Sequence, residues 1–390
     1  MFGEGNVIIQ VDIKGRVDST NADAVYNDIA AQLEGKEFDK IELRANDLEY
    51  ISSAGLRSVM KLQKNFGKVF VTGASEEVYS IFDITGFTQI INVERAYKKY
   101  SLNGCKVIGK GAKGTVYRYD EDSVIKVYND KNSVDTINME IALAKKAFIA
   151  GIPTAISYGI VEVGDKIGTY FELINADSFS NLINENLNEF DWYVGQMVDL
   201  LRQLHSTDAT GLDLPSATKS AHEWVNGGVL HVDETLAAKL NGMIDALPER
   251  TTMIHGDFHS NNVLMQGGEP ILIDMDRVAY GHPIFELCGV YMCYIAFGEM
   301  DSQMAADFLL MNEPTRVAVW NKICLNYFNN KTDEQRQVIV DKIRLLTFVR
   351  LVRRYYKGGV NLSEQNQKNV DYCMNVINEL LQKVDSFDFE

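Results

Sequence analysis

Two runs carry most of the side chains able to do chemistry. They are His255-Gly-Asp-Phe-His-Ser-Asn-Asn262 and, shortly after it, Pro270-Ile-Leu-Ile-Asp-Met-Asp276. Asp257, Asn262, Asp274 and Asp276 offer carboxylate and amide oxygens, the donors that a hard cation such as Mg²⁺ takes. Such a group can hold a metal, orient a proton in transfer or stand solvated. A third run, Gly109-Lys-Gly-Ala-Lys-Gly114, leads into Thr115-Val-Tyr117. Its glycines let backbone lie close over phosphate groups. The run sits between two candidate strands, so it is not the strand-to-helix turn that binds dinucleotides. Lys126 follows twelve residues beyond Gly114, inside the apolar strand Val124-Ile-Lys-Val-Tyr128. Its ammonium can reach phosphates, and Glu140 on the next helix is its natural ion-pair partner.

The elements that must position these groups follow from periodicity. Residues 106–108, 116–119 and 124–127 read as antiparallel strands, 138–150 as a helix and 168–174 as a strand. From Ser180 onward helices dominate, except around 253–274. Before residue 94 the chain alternates strand and helix: a strand at Val7–Val11 with Gly15 as a turn, a helix from Ala22 to Leu33, and a strand at Lys40–Arg44. A further short extended segment ends at Ile51. Ser52 or Ser53 can cap a helix to about Asn65. A strand at 68–72, a helix from Ser75 to Phe82 and a strand at 90–93 complete this part. The polar stretch Glu94–Asn103 reads as a linker. The expected domains are therefore 1–97, 103–175 and 176–390.

At 390 residues the chain is too long for one ordinary core. Lys plus Arg number 38 against 54 Asp plus Glu, a net charge of −16. That balance argues against nucleic acid and anionic membrane surfaces as partners. The start, Met1–Gln10, lacks a leader's basic and apolar regions. The most apolar stretch, Ile284–Phe297, carries Glu286 and is too short to span a bilayer, so it reads as a buried helix. The five cysteines show no metal-ligand spacing and suit a reducing, cytoplasmic setting.

Tyr50-Ile-Ser-Ser-Ala-Gly-Leu-Arg57 and Ile81-Phe-Asp-Ile-Thr-Gly-Phe-Thr-Gln-Ile-Ile91 resemble the STAS, or anti-sigma factor antagonist, domains. The resemblance covers about the first hundred residues and implies an α/β sandwich. It places Ser53 at the position phosphorylated in that family, with Ser52 where many members carry Asp. It also implies an anti-sigma factor or another signalling protein as partner.

The later motifs resemble aminoglycoside phosphotransferases and choline-kinase-like enzymes. Gly151-Ile-Pro-Thr154, Leu204-His-Ser-Thr-Asp208 and Gly281-His-Pro283 agree, and Glu286 stands where an Asp is common. The resemblance implies a bilobal α+β protein-kinase-like fold, with ATP and Mg²⁺ as cofactors and a small-molecule hydroxyl as acceptor. Asp257 would accept or orient the hydroxyl proton, and Asn262 and Asp274 would hold Mg²⁺. Gly109, Gly111, Gly114 and Lys126 would hold the phosphates, with Glu140 orienting Lys126. Backbone at Glu172–Ile174 would read the adenine. His255 would buttress the catalytic loop. His259 and Asp276 lie near the chemistry without an assigned role. The alternative implied by the two halves together is a signalling protein whose kinase-like part phosphorylates a STAS serine or senses nucleotide.

Overall fold

The computed structural model describes residues 7–111, 114–129, 134–174 and 176–389. Ala112 and Lys113 of the glycine run, and the first six residues read for a leader, lie outside these. The chain divides into two compact units, Met1–Ser101 with Ile160–Asp165, and Leu102–Gly159 with Lys166–Glu390.

In the first unit β1 (Ile8–Val17), β2 (Lys40–Ile51), β3 (Val69–Ala74) and β4 (Val93–Arg95) form a parallel sheet in that order. Parallel neighbours need crossovers, supplied by α1 (Ala22–Leu33), α2 (Ser53–Phe66) and α3 (Glu76–Ile84). Ile41, Leu43, Ala45, Leu48 and Ile51 of β2 are buried, and most residues between them are not. That alternation marks a sheet with one face packed on its core. Gly55 lets α2 settle onto the sheet, since a Cβ there would come within 2.6 Å of Ile51 Cγ1 and 3.0 Å of Val17 O.

Several local readings change. Gly15 does not end β1; it takes φ +63° at a register shift and the strand continues to Val17. The two extended segments expected between Lys40 and Ile51 are one strand, because β1 pairs along its whole length. The stretch read as a linker holds the end of β4 and the short strand β5 (Lys98–Tyr100). The strand expected at 90–93 is shifted to Val93–Arg95: Val93 enters the core, and polarity concealed only the continuation to Arg95, which pairs with Ala74 of β3.

The second unit begins with the antiparallel strands β6 (Lys106–Lys110), β7 (Gly114–Arg118) and β8 (Ser123–Tyr128). Then come α4 (Val134–Ile149), β9 (Ser157–Val163) and β10 (Lys166–Glu172). β9, not expected from the sequence, has Ser157–Gly159 in this unit and Ile160–Val163 in the first. β10 lies antiparallel to β8 on the side away from β7. The helical lobe follows: α5 (Phe179–Glu185), α6 (Phe190–Ser206), α7 (Ala217–Asn226) and α8 (Glu234–Asp245). Four short strands interrupt it. β11 (Met253–Ile254) pairs with β14 (Ala279–Tyr280), and β12 (Val263–Gln266) pairs with β13 (Glu269–Leu272). Last come α9 (Ile284–Tyr291), α10 (Phe297–Met300), α11 (Ser302–Leu309), α12 (Glu313–Tyr327), α13 (Asp333–Tyr356) and α14 (Glu364–Leu380). A π-helical turn at Met292–Ala296 joins α9 to α10, so 284–297 is a buried helical run as expected. Among the described residues no helix is long and apolar enough to cross a membrane. All five cysteines are free thiols.

Candidate active site

The His255–Asn262 loop leaves β11 and enters β12, and the loop bearing Asp274 and Asp276 leaves β13 and enters β14. The two hairpin-like pairings therefore bring both acidic runs to one place. Ile273 N donates to Asn262 O at 3.0 Å, tying the runs together. Gly256 takes φ +81°, and a Cβ there would lie 2.5 Å from Arg277 O. Only glycine suits that contact and that backbone. His255 is fully buried. Its Nδ1 accepts from Asp257 N at 3.3 Å and its Nε2 meets Ile273 O at 3.1 Å. With both ring nitrogens occupied by backbone, the imidazole braces the loop.

Asp257 sits beside Arg277, whose Nη1 is 3.9 Å from Oδ1. Burial pushes the Asp257 carboxyl up, but Arg277, with His259, His255 and Arg350, outweighs it and holds the group below the ordinary carboxylate value. Asn262 donates its amide N–H to Asp257 O at 3.0 Å, which leaves its Oδ1 as the atom with coordinating lone pairs. Asp274 holds a left-handed backbone, φ +61° and ψ +58°, a sparsely populated state for a residue with a Cβ. Its buried Oδ1 accepts no hydrogen bond among the described residues, and Lys126 Nζ stands 3.6 Å from it. His259 is buried, and burial lowers its pKa to about 4 against the pull of Asp257.

Lys126 reaches the same place from β8. Its Nζ is 2.7 Å from Glu140 Oε1 on α4. Burial lowers the Lys126 ammonium, but Glu140, Tyr128 and Asp274 overcompensate and raise it. Lys126, Glu140 and Asp274 thus meet directly, and Asn262 with Asp257 is tied to them through the backbone bond from Ile273, the residue before Asp274.

Between β6 and β7, Gly111 N donates to Gly114 O at 2.9 Å. Gly114 is required by packing, since a Cβ would lie 2.2 Å from Val127 O. Gly109 would tolerate a Cβ at ordinary contact distance, and Gly111 faces open space. The open space at Gly111, among the described residues, suits close approach of a phosphate. Glu172 closes β10 opposite Ser123, and Leu173 N–H is taken by Asp122 O at 2.7 Å. Ile174 O accepts from Ala176 N at 2.9 Å. Glu172 and Ile174 flank this turn, and among the described residues neither is hydrogen-bonded to Lys126, Glu140 or Asp274.

Ser53 belongs to the first unit. Ser52 is the N-cap of α2, accepting from Ala54 N at 3.2 Å and Gly55 N at 3.4 Å, and Ser53 is the exposed first helical residue. The structure therefore assigns to Ser52 the capping that the sequence left open between these serines.

Some neighbours carried no role in the sequence reading. Glu286 is wholly buried and takes the amide hydrogens of His255 and Gly256. Arg350 of α13 donates to Gly256 O at 3.2 Å and lies over the Trp224 ring. Tyr294 OH accepts from Ser260 N at 2.9 Å, and Ser260 Oγ meets Ser180 Oγ at 2.7 Å. Glu286 had stood out only as an Asp replaced. Nothing local in the sequence marks Arg350, which lies 94 positions from Gly256.

The profile of the phosphotransferase enzyme family matches residues 104–320, and that of the STAS domain matches 4–118. The shared residues, 104–118, fall in the second unit and contain β6 and β7. "Putative anti-sigma factor antagonist BtrV" of Bordetella bronchiseptica is 34% identical over 85 residues, spanning 21% of this chain and 72% of that protein. Among solved structures, the chain is similar to ADP-bound aminoglycoside phosphotransferase APH(2'')-Ib, at 13% identity and TM-score 0.48, over 76% of this chain and 97% of that one. It is also similar to the amicoumacin kinase hAmiN, in complex with AMP-PNP, Ca²⁺ and Ami. That match has 12% identity and TM-score 0.49, over 79% of this chain and 96% of that one. The chain belongs to the phosphotransferase enzyme family and carries a STAS domain at its N-terminal end.

Proposed function

We propose that this protein transfers the γ-phosphate of ATP to a hydroxyl of a small molecule, with the STAS domain as its regulatory or docking part. The observation that carries the reading is the meeting of Lys126, Glu140 and Asp274 at 2.7 and 3.6 Å, on a scaffold that also holds Asp257 and Asn262. Lys126 and the backbone of Gly109–Gly114 bind the nucleotide phosphates. Glu140 orients Lys126. The turn at Glu172–Ile174 takes the adenine. Asp257, kept ionised by Arg277, accepts or orients the proton of the acceptor hydroxyl.

The donor set suits Mg²⁺. Asp274 Oδ1 is a buried carboxylate oxygen without a hydrogen bond, and Asn262 Oδ1 is a free amide oxygen nearby in the fold. Among the described residues no group of three or more His, Cys, Asp or Glu could hold an ion. Mg²⁺ is commonly held by one or two carboxylates and completed by phosphates and water. Bound there, Mg²⁺ supplies charge neutralisation for the phosphates.

A second reading has its own observation. Ser53 is exposed at the first turn of α2, while Ser52 does the capping. Helix N-termini favour added phosphate, so a protein serine of this kind is a competing acceptor. Intact-mass measurement after incubation with Mg²⁺ and ATP separates the readings, beside ADP release with amino-sugar, choline-like and nucleoside acceptors. The small-molecule reading expects acceptor-stimulated ADP release that falls about 100-fold or more in Asp257→Ala, with no gain in protein mass. One phosphate gained at Ser53 in the wild type, and none in Asp257→Ala, would make the serine the acceptor. Nucleotide binding with neither result would leave a nucleotide sensor.

A further inference from the structure

Glu140 has two carboxylate oxygens, and Lys126 occupies only one. Oε1 meets Lys126 Nζ at 2.7 Å, while Oε2 accepts a hydrogen bond from Tyr128 OH at 3.0 Å. Tyr128 OH in turn accepts from Thr169 Oγ1 at 3.4 Å. Glu140, Tyr128 and Thr169 are all buried. Strand geometry explains the grouping. Side chains two residues apart share a face, so Lys126 and Tyr128 both leave β8 toward α4. Thr169 of β10 lies directly opposite Lys126 in the ladder.

A carboxylate held by one partner can still rotate about its own bonds. A carboxylate held at both oxygens has its plane fixed. An ionised Glu140 can only accept, so the chain runs one way, from Thr169 to Tyr128 to Glu140, with Lys126 donating from the other side. Burial pushes the Tyr128 phenol up to about 12, so its hydroxyl remains a donor at ordinary pH. The ring also lies 5.2 Å from Lys126 Nζ, shielding the ion pair from water.

We propose that Tyr128 is a positioning residue for nucleotide-phosphate binding: its hydroxyl locks Glu140 so that Lys126 meets the phosphates already oriented. This rests on the reading of Lys126 given above. Pre-organisation of this kind raises affinity by removing the cost of ordering the group at the moment of binding. Its effect is confined to ligands that carry phosphate, because adenosine makes no use of Lys126.

The test is isothermal titration of the full-length protein with Mg-ADP and, separately, with adenosine. Tyr128→Phe removes one hydrogen bond to a charged group and keeps the ring. It should weaken ADP about fivefold and leave adenosine unchanged. Thr169→Val should weaken ADP by about twofold, and Lys126→Ala by more than either. Equal weakening of ADP and adenosine by Tyr128→Phe would show a packing role and overturn the inference. So would an unchanged ADP affinity while Lys126→Ala loses it. If Lys126→Ala itself bound ADP as the wild type does, the phosphate-site reading would fail first, and this inference with it.

Discussion

Ser53 stands exposed at the head of α2, and its neighbour Ser52 satisfies the helix amides there. Asp257 sits on a loop whose backbone is held from below by His255, Glu286 and Arg350 and, three residues on, by Tyr294. In the roles proposed for them, the two regions need opposite things. A group that receives a phosphate from elsewhere must be reachable, and little else need be built around it. A group that orients a proton in transfer must be placed within a fraction of an ångström, and buried polar partners do the placing. The second unit accordingly buries charged side chains, Glu286 under this loop among them, while the first keeps a plain apolar core.

That contrast breaks first at Glu286. Glu286→Ala would leave the amides of His255 and Gly256 without their acceptor. It should cost the second unit about 3 kcal/mol, read as a lower urea midpoint, with the first unit unaffected. An equal loss in both units by hydrogen exchange would remove the contrast.

Acid sharpens the same comparison. All six histidines lie in the second unit. Burial depresses His205 to about 3 and His259 and His282 to about 4, below the ordinary 6.5. The unfolded chain therefore binds protons between about pH 6.5 and 4 that the folded unit refuses, and stability falls as pH drops through that window. Glu286 acts in the opposite sense, since burial raises its carboxyl and protonation relieves that cost. With three histidines against one carboxyl, the second unit should lose several kcal/mol by pH 4. The first unit should hold. Hydrogen exchange of the full chain at pH 7 and pH 5, corrected for intrinsic rates, would show protection lost in the second unit alone.

The smallest effects separate the two serines. Ser52→Ala removes the cap of α2 and should cost about 1 kcal/mol. Ser53→Ala touches no internal bond and should stay within about 0.5 kcal/mol. Chemical denaturation followed on the first unit measures both. A cost at Ser53 equal to that at Ser52 would mean that Ser53 shares the capping.

What the sequence determined by itself was whatever lies close along the chain. The glycine run, Lys126 in its strand, Glu140 on the next helix and the His255–Asn262 run could be read because strand and helix periods place near neighbours on known faces. Tyr128 was legible in principle, two residues from Lys126 on one face of β8, yet its bond to Glu140 needed α4 in place. Other features had no local signal. The polar end of β4, Glu94 and Arg95, lay beyond the strand expected at 90–93 because pairing with β3 holds it. β1 runs through Gly15 because β2 pairs with it on both sides of the bulge. Arg350 reaches Gly256 only after α13 folds back across the helical lobe. Which serine caps α2 was decided by the backbone turning at Ser52, φ −90° and ψ 174°, just before the helix begins. Near neighbours obey the geometry of a single element, whereas a buried hydrogen bond or a strand pairing takes its energy from a partner that only the folded chain brings within reach.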